Sequence, residues 1–194
     1  MDKYKIGSEP NDEMVRFALP ARMLKDKGVT EFVQACGLVE QRISGRCEFI
    51  LAGDLDVENP AGYSEQELLD LIYQSNVNWV GYQYNIVEFL HSIHVVVLPS
   101  YREGLPKSLI EAAACSRPII TTDTIGCREC VEDGVNGLLV PVMCVAKLSE
   151  AMIKLAKDKV LRNQMGQKSR ELAERDFSIE SVIDKTLNLY SNGK

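Results

Sequence analysis

The run Ile93-His94-Val95-Val96-Val97-Leu98 constrains the fold more than any other feature of the chain. It is short, almost uniformly apolar and rich in β-branched residues. Such a run reads as a strand buried on both faces, which calls for a parallel sheet covered by helices. Turn chemistry follows it in Ser100-Tyr101-Arg102-Glu103-Gly104-Leu105-Pro106-Lys107-Ser108. Gly104 permits a tight turn out of the strand, and Pro106 suits the first position of a new helix. The free amides at Lys107 and Ser108 would point back toward the strand end, where a helix N-terminus is a ready anion site. One carboxylate, Glu103, sits on the turn, and a second, Glu111, lies more than one turn into the helix. The segment suits a ligand carrying a phosphate with hydroxyl-rich groups on either side. Read alone, the two glutamates could equally be solvated helix carboxylates, with Lys107 and Glu111 forming a modest i,i+4 pair.

The same alternation runs through the chain. Met14 to Pro20 reads as a first strand and Val29, Phe32, Val33 and Cys36 as one face of the helix after it. Cys47 to Gly53 reads as a second strand, followed by a loop through Asn59-Pro60-Ala61-Gly62. Ser64 and Glu67 stand at capping-box spacing for the next helix. Val77 to Gly81 gives a third strand and Asn85 to about Ile93 a short helix. After the buried strand and its helix, Arg117 to Thr122 and Leu138 to Val140 supply two more strands, the second entered through the turn Gly134-Val135-Asn136-Gly137. From Val145 onward the pattern is helical: Val145, Leu148, Met152 and Leu155 share a face. A last helix after Ser178 carries Ile179, Val182, Ile183, Leu187 and Tyr190. Strands alternating with helices imply right-handed βαβ units. The expected fold is α/β, a Rossmann-like doubly wound parallel sheet with a helical C-terminal tail.

A length of 194 residues fits one domain comfortably, and 45% apolar with 26% charged residues is ordinary for a globular protein. The net charge of −6 argues against a general nucleic-acid binder. No apolar run reaches the roughly 20 residues that cross a bilayer, and the polar N-terminus is unlike a signal peptide. The expected location is the cytoplasm. Among the six cysteines only Cys127 and Cys130 have C-x-x-C spacing, without a second pair or close histidine to complete a zinc set. Reduced structural thiols are expected. His91 and His94 flank the buried strand and read as helix-end or core residues.

The loop after the first strand, Ala21-Arg22-Met23-Leu24-Lys25-Asp26-Lys27-Gly28, puts cations at the strand end where open α/β sheets bind ligands. A guanidinium fork can grip phosphate oxygens and a lysine adds a point charge. By itself the segment reads as a solvated basic loop; beside the glutamate pair it reads as a phosphate grip.

Glu103 and Glu111, with seven residues between them, resemble the E-x7-E signature of the retaining family-4 glycosyltransferases. Leu98-Pro99-Ser100 and Glu111-Ala112-Ala113-Ala114-Cys115-Ser116-Arg117-Pro118 are similar to its flanks. Pro20-Ala21-Arg22-Met23-Leu24 and Gly126-Cys127-Arg128-Glu129 most resemble the capsular-polysaccharide and lipid-linked-oligosaccharide branch. The resemblance implies one half of a GT-B fold. Residues 14–194 would be the C-terminal donor-binding domain, and residues 1–13 the remnant of an interdomain linker whose N-terminal acceptor domain is absent. It also implies a last helix that crosses to the other domain.

Its functional implications are residue by residue. Arg22 and Lys27-Gly28 match a diphosphate-binding Arg and Lys at the family's spacing, which Lys25 does not. Glu103 would hold the donor sugar, with Gly104, Leu105, Lys107 and Ser108 beside it, and Glu111 the ribose. Gln83, in the loop Tyr82-Gln83-Tyr84, is a candidate contact to the base. Arg22, Lys27 and Glu103 would be the catalytic set. The implied donor is a nucleotide sugar, UDP-linked in preference to GDP-linked. The acceptor would be a glycan or a polyprenyl-linked saccharide, reached through the missing domain by a full-length enzyme peripheral to the membrane. No metal and no cofactor are implied. One departure stands out: where many relatives have Glu-Gly-Phe-Gly, this chain has Glu103-Gly104-Leu105-Pro106, and proline removes a backbone donor. A sugar-nucleotide epimerase on the same fold, or a non-catalytic sugar or protein interaction module, would share these features.

Overall fold

Among the described residues six short strands form one sheet: β1 (Val15–Pro20), β2 (Cys47–Ala52), β3 (Val77–Trp79), β4 (Val95–Leu98), β5 (Ile119–Thr122) and β6 (Gly137–Val140). Their order is β3-β2-β1-β4-β5-β6 and every neighbouring pair is parallel. This is the doubly wound α/β fold expected from the alternation. The computed structural model describes residues 4, 6–11, 13–73, 75–183 and 187. All four residues of β4 are buried, as its uniform apolar sequence requires.

The helices are α1 (Val29–Ile43), α2 (Glu65–Ile72), α3 (Ile86–Ser92), α4 (Lys107–Ala114), α5 (Ile125–Arg128), α6 (Val145–Lys157) and α7 (Lys159–Phe177). The connection from β1 to β2 runs one way across the sheet and that from β4 to β5 the other. Right-handed crossovers therefore put α1 and α4 on opposite faces. There α1 packs against α6, and α4 against α7. The Ser64 hydroxyl and the Glu67 carboxylate satisfy each other's backbone amides in a complete capping box on α2.

Two details differ from the sequence reading. Pro106 is the N-cap of α4 and Lys107 its first residue, one position later than expected. Helix α7 precedes the predicted last helix and has no aliphatic stripe. Its buried face is Arg162, Met165, Gly166, Ser169, Leu172 and Ala173. Of the predicted final stripe, Ile179, Val182, Ile183 and Leu187 are exposed, and Tyr190 lies outside the described residues.

The chain ahead of β1 is strapped to the domain by three arginines. Arg117 is wholly buried. Its Nε donates to the Cys115 carbonyl at 3.1 Å, Nη1 to Ile93 at 3.2 Å, and Nη2 to Gly7 and Ser8 at 2.7 and 2.9 Å. Arg162 pairs with Glu9 in the interior and also donates to the carbonyls of Leu155 and Ala156. Arg170 Nη1 bridges the carbonyls of Tyr4, at 2.5 Å, and Ala114, at 2.6 Å.

All six cysteines are unbridged and five are buried. Burial above all pushes the Cys130 thiol up to about 12 and that of Cys115 to about 11, the range of inert structural thiols. His94 is buried, and its Nδ1 accepts the Arg16 amide at 3.0 Å. Among the described residues no helix is long and apolar enough to cross a membrane, and no group of three or more His, Cys, Asp or Glu could hold a metal ion.

Candidate functional site

The strand order reverses between β1 and β4, so the loops leaving these two strands part and leave a crevice at their C-terminal ends. Both sequence-predicted loops sit there. A cleft of about 570 Å³ opens beside them, and Arg22, Gln83, Lys107, Ser108 and Glu111 all line it. Arg22 is largely exposed and ion-paired with Asp56, from the loop after β2. Across the cleft, Lys107 and Ser108 form the first turn of α4, whose unpaired amides and dipole favour an anion. Glu111 is one turn deeper. Its Oε1 accepts the Tyr4 hydroxyl at 2.6 Å, with Lys107 Nζ at 3.6 Å from the same oxygen. Gln83 turns its amide nitrogen back on the carbonyls of Val80 and Gly81, at 3.1 and 3.3 Å. Tyr82 and Tyr84 beside it pack edge to face.

A second cluster adjoins this cleft. Lys27 ends the 3-10 turn Lys25–Lys27, and its Nζ donates to Glu103 Oε1 at 2.6 Å. The Ser100 hydroxyl donates to the same oxygen at 2.6 Å. The pair is sheltered, with side-chain exposures of 20% for Lys27 and 10% for Glu103. Lys27 is therefore engaged rather than solvated as a plain basic loop would have it, and of the two cations only Arg22 is largely exposed. Gly28 makes the approach of the two loops work. It has φ +73°, and a Cβ there would lie 2.2 Å from the Pro99 carbonyl oxygen. The left-handed backbone and the missing side chain let the β1 loop close onto the end of β4.

Gly104 does not have the role its residue type suggested. It has no left-handed backbone, and a Cβ there would meet open space. The close approach belongs instead to Gly126 on α5, where a Cβ would lie 2.2 Å from the Gly104 carbonyl oxygen and 2.4 Å from that of Glu103. Leu105 is half exposed on the same loop. The sequence reading also left out Asp56, Ser100, Gly126 and Tyr4 as supports of the predicted residues. Ser100 lies inside the signature stretch and was within reach of inspection. Tyr4 meets Glu111 across 107 positions of sequence, and no local pattern signals such a contact.

The family description "Glycosyl transferases group 1" matches residues 2–172 of this chain. The chain belongs to that family. Within the group 1 glycosyl transferases it is 32% identical over 170 residues to the N,N'-diacetylbacillosaminyl-diphospho-undecaprenol alpha-1,3-N-acetylgalactosaminyltransferase of Campylobacter jejuni. That match covers 88% of this chain and 43% of the relative. It is 28% identical over 181 residues to the capsular polysaccharide biosynthesis glycosyltransferase CapM of Staphylococcus aureus, covering 93% and 47%. The chain thus spans less than half the length of these relatives. Among solved structures, a mutant of S. aureus TarM, in a complex with fondaparinux, alpha-GlcNAc-glycerol and UDP, superimposes with a TM-score of 0.82 at 25% identity. That superposition covers 96% of this chain and 38% of TarM. The half of a GT-B fold implied by the glutamate pair is therefore the fold of this group 1 domain.

Proposed function

We propose that this chain is the donor-binding half of a retaining glycosyltransferase that uses a nucleoside-diphosphate sugar, UDP-linked in preference to GDP-linked. In this reading an N-terminal domain supplies the acceptor, a glycan or polyprenyl-linked saccharide, at the cytoplasmic face of a membrane. The observation that supports it is that Arg22, Glu111 and the first turn of α4 line one cleft at the β1–β4 switch point, with the Lys27–Glu103 pair on the loops that leave the same two strands. The UDP held by TarM supports the choice of base.

Each residue then has a task. Arg22 and the amides of Lys107 and Ser108 bind the diphosphate. Lys27 has three N–H donors, of which Glu103 accepts one, so phosphate can take another. As the bond between the anomeric carbon and the diphosphate breaks, these fixed positive groups stabilise the growing negative charge, commonly the largest single contribution to such catalysis. Glu103 accepts from sugar hydroxyls, Glu111 from ribose hydroxyls, and the Tyr82–Tyr84 loop with Gln83 borders the base. Pro106 offers no N–H, so sugar contacts at this turn fall to Gly104, Leu105 and Glu103.

Calorimetry with UDP, GDP, ADP and their glucose conjugates tests the reading. UDP should bind, UDP-sugar more tightly, and GDP more weakly. A chain that binds none of them is an interaction module on a glycosyltransferase fold. An assay for UDP-GlcNAc interconversion in the full-length protein tests the epimerase alternative, and the anomeric configuration of a transfer product tests retention.

Gly126→Ala gives a further expected result. The new methyl has backbone on its far side and must displace the Glu103–Gly104 loop. The extra affinity that the sugar adds to UDP should fall roughly tenfold, as for one weakened charge-assisted hydrogen bond of about 1.5 kcal/mol. UDP itself should lose little. If UDP-sugar binds the variant as well as the parent, α5 has yielded rather than the loop.

A further inference from the structure

The carboxylate assigned above to ribose is already engaged on one side. Both of its close contacts, from the Tyr4 hydroxyl and Lys107 Nζ, fall on Glu111 Oε1. Among the described residues nothing donates to Oε2, and Glu111 lines the cleft. A carboxylate has about four lone-pair sites, so the tyrosine leaves acceptor capacity for a ligand while fixing the group's direction.

Tyr4 is delivered from outside the βαβ pattern and is firmly held. Its carbonyl accepts from Arg170 Nη1, which also caps the Ala114 carbonyl at the foot of α4. That is the helix that carries Glu111, so the backbone of Tyr4 is pinned about one turn below the carboxylate its side chain reaches. Three residues on, Arg117 holds Gly7 and Ser8, and Arg162 holds Glu9. Burial and the nearby Glu111 charge raise the phenol's pKa, so it remains a donor across the working pH range. An unrestrained glutamate loses rotamer freedom when it takes up a ligand. Here that freedom is already lost before the ligand arrives, which is the usual route by which preorganisation raises affinity.

We propose that Tyr4 is a positioning residue of the donor site, holding Glu111 Oε1 so that Oε2 is presented to the vicinal hydroxyls of a nucleoside diphosphate. The inference rests on the functional reading above and extends the site to a segment that precedes the first strand.

The test is calorimetry of Tyr4→Phe, which keeps the ring and removes the hydroxyl, with UDP and with inorganic pyrophosphate, which lacks ribose. The same substitution is also measured in a Glu111→Ala background. UDP affinity should fall about five- to twentyfold in the parent background, pyrophosphate affinity should change less than about twofold, and the effect on UDP should vanish when Glu111 is absent. A merely structural tyrosine would weaken both ligands and would do so in both backgrounds; either result overturns the proposal. Unchanged UDP affinity overturns it too, and tighter binding would mean that the hydroxyl competes with ribose for the carboxylate. The outcomes separate from failure of the underlying reading. If Glu111→Ala alone binds UDP as tightly as the parent, the ribose assignment itself is wrong. If that variant binds weakly and Tyr4→Phe binds normally, only the role of Tyr4 falls.

Discussion

Glu111→Ala should weaken UDP and UDP-sugar alike, by roughly tenfold to a hundredfold, because ribose is common to both and a charge-assisted hydrogen bond contributes about 1.5–3 kcal/mol. Glu103→Ala should behave differently. It should reduce only the further affinity that the sugar brings, by a similar factor. The structure adds a sign to this expectation. Glu103 accepts from Lys27, so its removal frees an ammonium beside the proposed phosphate site. UDP affinity in Glu103→Ala should therefore be unchanged or higher, never lower. Titrating two ligands into two variants gives four affinities. Equal losses for both ligands in Glu103→Ala would remove its sugar role, and no loss in Glu111→Ala would return that residue to an ordinary helix carboxylate paired with Lys107.

The largest effect on stability is expected at Arg117, far from the cleft. Its guanidinium is wholly buried and donates to four carbonyls. Burial lowers its pKa from the usual guanidinium range, although it stays charged. Arg117→Met keeps much of the volume and removes every donor. The bonds to Cys115 and Ile93 are buried, and carbonyls left there without partners cost about 1–3 kcal/mol each, so a total loss of about 2–6 kcal/mol is expected. For a chain of this size that lowers the melting temperature by on the order of 10 °C, which scanning calorimetry can read directly. A shift below about 3 °C would mean that water replaces the guanidinium and that the strap is held mainly by Arg162 and Arg170.

The strands were legible because burial on both faces leaves a simple trace, an unbroken apolar run such as Val95 to Leu98. The loops at the switch point were legible because Gly28, Pro106 and the spaced charges each mark a backbone event. Helix α7 was harder to read for a physical reason. Its inward face has helical spacing, but Arg162, Gly166 and Ser169 occupy positions where an aliphatic stripe would advertise itself. Gly166 is needed there because a Cβ would come within 2.4 Å of the Ser116 carbonyl oxygen. Arg162 is a buried charge whose carboxylate partner, Glu9, comes from a distant segment. In the same way the candidate residues Arg22, Lys27, Glu103 and Glu111 could be named from the family motif they match, whereas their distant partners Asp56 and Tyr4 could not. Which oxygen is already occupied, and which cation already neutralised, is decided by tertiary contacts.

The β1–β4 seam has a consequence for how the molecule comes into being. It joins residues as distant along the chain as Phe17 and Val95, whereas β4–β5 and β5–β6 join much nearer ones. Closing a long loop before its contacts are rewarded is entropically uphill, and such non-local parallel pairings form slowly. The crevice exists only once this seam has closed, and its glutamate is fully set only when the N-terminal strap has docked as well. Nucleotide affinity should thus be acquired late in folding, after most helix content has formed. In a refolding experiment the signal of bound nucleotide would lag behind the far-ultraviolet signal of the helices.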